Sequence, residues 1–151
     1  MRIIAHRGLL NGPNPELENK TETIKKALLQ GFEVEVDVWF SKGEWYLGHD
    51  KPVEKVSFSF LCGQFLWIHC KNLAALERMG TYKHLNSFWH ETDSYTLTSH
   101  NYIWTYPGKE LSTHSICVMP EKYMILEKVR DLKCLGICTD YPLVVSKLID
   151  G

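Results

Sequence analysis

The sequence lacks a basic stripe, a long apolar run and a paired-cysteine motif, and each absence excludes a class of protein. The 151 residues carry a net charge of −1, and no cluster of lysine and arginine provides the electrostatic footprint of a nucleic-acid-binding protein. No run approaches the length of a transmembrane helix, and the N-terminal MRIIAHRG becomes polar too soon for a signal peptide. We therefore expect a cytoplasmic protein without a transmembrane segment or a nucleic-acid partner.

The cysteines predict neither a disulfide framework nor a zinc site. They number five, without a C-x-x-C pair, and Cys134 and Cys138 have no partner pair at a zinc-like spacing. We expect reduced, mostly buried thiols. The chain contains no internal repeat, and its length and 44% hydrophobic content predict one domain over residues 1–151.

The most informative stretch of the chain runs from Phe32 to Asp50. Alternating valines and acidic residues predict a strand that carries Glu35 and Asp37 on one face. A solvated polar face is the plain interpretation of that alternation. However, the chain turns near Lys42, becomes apolar again and brings His49 to the end of the next run. Two adjacent carboxylates are costly unless a cation lies between them, and such oxygen ligands suit Mg²⁺ or Ca²⁺.

Eight short apolar runs, most of them followed by polar or aromatic residues, predict the fold. Polar residues at the carboxyl ends of strands are typical of a parallel barrel with its site at that end. We expect an α/β protein, a pared-down TIM-type (β/α)8 barrel with several outer helices missing, because such barrels seldom have fewer than about 200 residues. Helices are predicted at residues 20–30, 73–79 and 121–133. Apolar strand surface left uncovered predicts a homodimer.

Four ordered motifs carry a resemblance to a known family. They are H-R-G at residues 6–8, E-N at 18–19, E-V-D at 35–37 and H-D at 49–50. Together they resemble the glycerophosphodiester phosphodiesterase family, which belongs to the phosphatidylinositol-specific phospholipase C-like superfamily. Weaker similarities follow in S-F at 87–88, W-T at 104–105 and G-I-C-T-D-Y-P at 136–142. The chain looks like a miniaturised member of this family.

The resemblance implies a role for each matched residue. His6 and His49 look like the general acid and base, Arg7 and Lys71 like phosphate contacts, and Glu35 and Asp37 like metal ligands. Phosphodiester cleavage needs these parts on chemical grounds as well, because protons must be moved and phosphate charge neutralised. His69 stands where the family has a third metal-binding glutamate. An imidazole ligand makes Mn²⁺ or Zn²⁺ an alternative to Mg²⁺ or Ca²⁺.

Three further residues, Glu18, Trp104 and Asp140, are candidates for a supporting or pocket-lining role. Each has a plain interpretation as well: Glu18 as a helix-cap residue, Trp104 as core and Asp140 as an ion-pair partner of Arg7. For His90, after a later strand, the plain interpretation is a solvated loop, and a contribution to the site is the alternative.

Two functions are carried forward. The first is a metal-dependent phosphodiesterase acting on a small or lipid-derived phosphodiester, with a cyclic phosphate as one conceivable product. The alternative is a non-catalytic phosphate-ligand-binding barrel that has lost turnover.

Overall fold

A computed structural model describes all 151 residues. Its ten strands are β1 Arg2–His6, β2 Glu33–Ser41, β3 Glu44–Leu47, β4 Glu54–Val56, β5 Leu66–Cys70, β6 Asn86–Phe88, β7 Tyr95–Leu97, β8 Ile103–Thr105, β9 Ser115–Val118 and β10 Gly136–Thr139. Its four α-helices are α1 Thr21–Leu29, α2 Phe58–Leu61, α3 Leu73–Met79 and α4 Pro142–Asp150. No helix is long and apolar enough to cross a membrane.

The strands form one mixed sheet that curls into a half-barrel. Seven of them run parallel, in the order β6-β5-β2-β1-β10-β9-β8. The other three are antiparallel: β3 returns along β2, β4 along β3 and β7 along β8. The curl brings the two ends of the parallel set together, so the rings of Phe88 and Trp104 pack with centroids 4.6 Å apart. In the order of the parallel strands β1 is the fourth of seven, so the first strand of the chain lies in the middle of the sheet.

The predicted TIM-type (β/α)8 barrel is wrong. Such a barrel alternates eight parallel strands with helices, whereas only α1 and α3 here connect neighbouring parallel strands and β3 is antiparallel. Chain length explains the difference, because a helical crossover needs at least about 10–12 residues. The chain between Ser41 and Glu44 is only a turn, so β3 must return beside β2 as a hairpin.

The predicted helix over residues 121–133 is also wrong. This stretch forms two 3₁₀ segments, Pro120–Lys122 and Leu126–Asp131. The break between them coincides with Tyr123, whose hydroxyl lies 2.9 Å from Cys117 Sγ. Val129 is nevertheless fully buried against β9, β10 and α4, so the predicted inward position of this residue holds.

Two apolar layers support the sheet. On its convex side α1 and α3 bury residues such as Ile24 and Met79 against β2 and β5. On the concave side a smaller cluster that includes Trp67, Phe88 and Trp104 fills the half-barrel. This inner cluster lies beneath the polar side chains of the concave side. All five cysteines are free; three of them are buried, Cys134 is half-buried and Cys62 is exposed.

Candidate active site

Polar side chains at the ends of β1, β3 and β5 and in the middle of β2 meet on the concave side of the sheet. Parallel register brings His6 of β1 beside Glu35, and Asp37 beside His69. The turn that follows β3 requires glycine at position 48, because Gly48 has φ of 151° and a Cβ there would collide with the Lys51 carbonyl oxygen. The tight turn at Gly48 carries the following residue, His49, back to within 3.3 Å of Asp37 Oδ2.

Glu35, Asp37 and His69 form a compact set of potential metal ligands. One ligand atom from each residue lies within 4.8 Å of the other two. Both carboxylates are 1% exposed, and His69 Nδ1 lies 3.1 Å from Asp37 Oδ1. A carboxylate pair that is buried in this way suits a cation, because a buried carboxylate is costly unless its charge is compensated.

His69 presents a defined nitrogen to the two carboxylates. Its Nε2–H donates to the backbone carbonyl of His90 at 2.8 Å, so Nδ1 is the atom that faces Glu35 Oε1 at 3.4 Å and Asp37 Oδ1 at 3.1 Å. Burial alone would lower the pKa of His69, but these carboxylates outweigh it and raise the pKa to about 9. Without a metal, His69 is therefore a cation at neutral pH that neutralises the pair.

Asp37, the middle residue of β2, is held in place by Asn19. The Asn19 amide donates to Asp37 Oδ2 at 2.9 Å and accepts the Asp37 backbone N–H at 2.9 Å. Burial would raise the pKa of Asp37, but hydrogen bonds with His49 and His69 and the charge of the Arg7 guanidinium hold it well below the usual value. Asp37 is therefore ionised throughout the neutral range.

Arg7 is already bound by several protein groups. The Nη1 atom of Arg7 donates to Glu18 at 2.9 Å, and its Nη2 atom donates to His49 Nδ1 at 2.7 Å. The Nε atom of Arg7 lies 3.0 Å from Asp37 Oδ2. A guanidinium has five N–H donors, so two remain for a ligand. Lys71 Nζ lies 3.7 Å from Asp37 Oδ1 on the other side of the site.

His6 and His49 each lie beside a carboxylate. His6 Nδ1 donates to Asp140 Oδ1 at 2.7 Å, which leaves Nε2 without a proton in the neutral ring. His49 Nδ1 lies 2.7 Å from the Arg7 guanidinium and 3.3 Å from Asp37 Oδ2. Because a guanidinium can only donate, Nδ1 accepts from Arg7 when the ring is neutral, and it donates to Asp37 when the ring carries both protons.

Two cavities open beside these residues. The metal-side cavity, about 430 Å³, contains Glu35, His49, His69, Lys71, His90 and Tyr106. The loop-side cavity, about 350 Å³, lies between residues 9–18 and residues 119–141. Four residues line both: His6, Arg7, Met119 and Lys122. A third cavity of about 450 Å³ lies at the opposite ends of the strands and contains none of the predicted site residues.

The structure brings the predicted residues together with three changes of detail. Asp140 pairs with His6 rather than with Arg7. Trp104 is 3% exposed and belongs to the inner apolar cluster, where it forms the floor of the metal-side cavity. Glu18 pairs with Arg7 and does not cap α1, because Glu54 accepts hydrogen bonds from the Thr21 N–H and hydroxyl instead.

Three residues of the site were not predicted from the sequence. Asn19 belongs to the E-N motif, but its contact with Asp37 depends on φ of 54°, a left-handed conformation that Asn tolerates. His90, for which a solvated loop was the plain interpretation, is half-buried, lines the metal-side cavity and holds His69. Lys122 lay within the predicted helix, where nothing distinguished it from its neighbours.

A scan against protein-family models found no match, and neither a search of curated proteins nor a search of solved structures found one. The geometry of the site is therefore the basis for a functional assignment.

Proposed function

We propose that the protein is a metal-dependent phosphodiesterase of the glycerophosphodiester phosphodiesterase type, which cleaves a small or lipid-derived phosphodiester with His6 as base and His49 as acid. The observation that carries this proposal is the pair of imidazoles next to Arg7, of which His6 is held by Asp140 and His49 faces Asp37. Phosphodiester cleavage requires one group that takes a proton and another that gives one, and His can do either near neutral pH.

His6 is suited to act as the base. Asp140 accepts its Nδ1–H at 2.7 Å, which orients the ring and stabilises the imidazolium that forms. Nε2 takes the proton of the attacking oxygen, from water or from a neighbouring hydroxyl of the substrate. A water nucleophile gives hydrolysis, and a substrate hydroxyl gives a cyclic phosphate.

His49 is suited to act as the acid. The acid is the imidazolium form of His49, in which Nδ1–H donates to Asp37 Oδ2, 3.3 Å away. Its Nε2–H passes to the departing alcohol oxygen as the P–O bond breaks, which leaves a neutral ring. The remaining donors of Arg7 together with Lys71 neutralise the oxygens of the phosphate.

Glu35, Asp37 and His69 are the residues that would hold a divalent ion. The set fits such an ion, because His69 Nδ1 faces both buried carboxylates and one ligand atom of each residue lies within 4.8 Å of the others. When bound, the ion supplies positive charge to the non-bridging phosphate oxygens. An imidazole among the ligands favours Mn²⁺ or Zn²⁺ over Mg²⁺ or Ca²⁺, and the His90 carbonyl that holds Nε2–H orients it for this role.

The test is turnover of glycerophosphodiesters and of bis(p-nitrophenyl) phosphate, with Mg²⁺, Ca²⁺, Mn²⁺, Zn²⁺ or a chelator. We expect metal-dependent cleavage that His6→Ala abolishes and that the control His84→Ala, at an exposed position, retains. Absence of cleavage with every ion would contradict the proposal. Binding of phosphate without turnover would instead support the alternative, a non-catalytic phosphate-binding protein.

A further inference from the structure

We propose that Lys122 is an anion-binding residue that contacts the substrate phosphate where the metal-side and loop-side cavities meet. That the anion is a phosphodiester rests on the proposed function; that Lys122 binds an anion there rests on its position and its charge. No motif of the sequence points to this lysine.

A tight turn after β9 places Lys122 over the site. Met119 adopts φ of 49°, which is uncommon for a residue other than glycine. Its N–H donates to the Cys138 carbonyl at 2.8 Å, and its own carbonyl accepts the Lys122 N–H at 3.1 Å. The turn therefore reverses the chain at the carboxyl end of the strand and directs Lys122 back toward the cavities.

Glu121 anchors the same turn to the end of β10. One oxygen of its carboxylate accepts the Thr139 hydroxyl and the Asp140 N–H, each at 2.9 Å. Asp140 is the residue that orients His6. The backbone that carries Lys122 is therefore fixed relative to the proposed base.

The charge of Lys122 is uncompensated, in contrast to the other cations of the site. Arg7 is paired with Glu18 and Asp37, and Lys71 lies near Asp37. None of the ion pairs of the protein involves Lys122. An unpaired ammonium at the edge of two cavities attracts an anion, and a lysine presents a compact charge that suits phosphate.

The two cavities explain why this anion would be a diester. They meet at His6, Arg7, Met119 and Lys122. A phosphate at that junction has one cavity on each side, about 430 Å³ and about 350 Å³, so each of its two alcohol groups has its own space. Lys122 then lies where it can contact the phosphate whichever groups the diester carries.

The experiment compares Lys122→Met and Lys122→Arg with the control Lys128→Met. Lys128 is also exposed, lies in the next 3₁₀ segment and forms no ion pair. Binding of inorganic phosphate is measured by calorimetry, and thermal unfolding shows whether each variant is folded. We expect Lys122→Met to weaken phosphate binding about tenfold, the usual effect of losing one charged hydrogen bond, while Lys122→Arg and Lys128→Met stay within about threefold of wild type.

Equal phosphate affinity of folded Lys122→Met and Lys128→Met, or no phosphate binding by the wild type, overturns the inference. If the wild type nevertheless cleaves a phosphodiester, the proposed function stands without it. Conversely, phosphate binding that depends on Lys122 without turnover under any metal condition supports the inference and contradicts the proposed function.

Discussion

Replacing Asn19 with alanine tests whether the site is fixed by the amide contact with Asp37. Asn19 is 2% exposed and makes both of its side-chain hydrogen bonds to Asp37, one to Oδ2 and one from the backbone N–H. Alanine removes both partners and leaves the Asp37 N–H without an acceptor in a buried position. It also places a residue with lower left-handed propensity at φ of 54°.

The expected loss of stability has three contributions: the lost hydrogen bond, the unsatisfied N–H and the left-handed conformation. A hydrogen bond to a charged group contributes about 1.5–3 kcal/mol, and a buried unsatisfied N–H costs about 1–3 kcal/mol. The left-handed conformation costs a further 1–2 kcal/mol or so for a residue with a Cβ. Asn101 provides the matched control, because it has φ of 64° but is exposed and makes no side-chain hydrogen bond. Asn101→Ala therefore measures the conformational cost alone.

The assay is urea unfolding of both variants in the presence of a chelator, so that metal binding does not contribute. We expect Asn19→Ala to lose roughly 2.5–6 kcal/mol more stability than Asn101→Ala, with unchanged dependence on urea. The Asn19 variant should also bind divalent ions more weakly, because Asp37 is no longer oriented. Losses that agree within about 0.5 kcal/mol, the usual scatter of surface substitutions, would refute the reasoning.

Three further predictions concern the acidic pair, the metal and the surface. The metal-free protein should lose stability as pH rises from about 6.5 to about 9, because the raised pKa of His69 stabilises the fold fully only below about 6.5. The measurement is thermal unfolding against pH in the presence of a chelator. A His69→Asn variant that shows the same decrease of stability with pH contradicts the assignment. Glu35→Gln should weaken the binding of divalent ions in calorimetry. His69→Glu should shift the preference of the site from Mn²⁺ or Zn²⁺ toward Mg²⁺ or Ca²⁺, and an unchanged order of ion affinities in this variant would remove His69 from the ligand set. The exposed side chains of Tyr95 and Leu97 on β7 leave apolar sheet surface uncovered, so we expect a homodimer, and a monomeric mass by light scattering at micromolar concentration argues against it.

The sequence predicted the site better than the fold, for a physical reason. Residues i and i+2 of a strand share a face whatever the rest of the sheet does, so Glu35 and Asp37 could be placed together from local alternation alone. His69 lies on another strand, and it was the family resemblance that placed it beside them. Strand direction depends on the length of the connections. The two-residue turn after Ser41 reverses the chain, which makes β3 antiparallel and removes one strand of the expected barrel.

The missed residues depend on contacts between distant parts of the chain. Lys122 is separated from Arg7 by more than a hundred residues, and only the turn at Met119 brings it to the same cavities. The strand β7 was missed because Tyr95–Leu97 has three residues within a polar stretch, too few for a period to be recognised. Asp140 was predicted to be a site residue or an ion-pair partner of Arg7, and its contact with His6 depends on the register of β1 and β10, which the sequence does not reveal.

The central claim is that His6 acts as base and His49 as acid on a phosphodiester, and it is tested most directly by varying the leaving group. The measurement compares wild type, His6→Ala and His49→Ala on a diester with an alkyl leaving group and on bis(p-nitrophenyl) phosphate, whose phenolate departs without a proton. We predict that His6→Ala lowers kcat/KM about 10²–10⁴-fold on both substrates, the usual size of an acid–base contribution. His49→Ala should show that loss only with the alkyl leaving group. An equal loss on both substrates for His49→Ala, or full activity of either variant on the alkyl diester, would contradict the account.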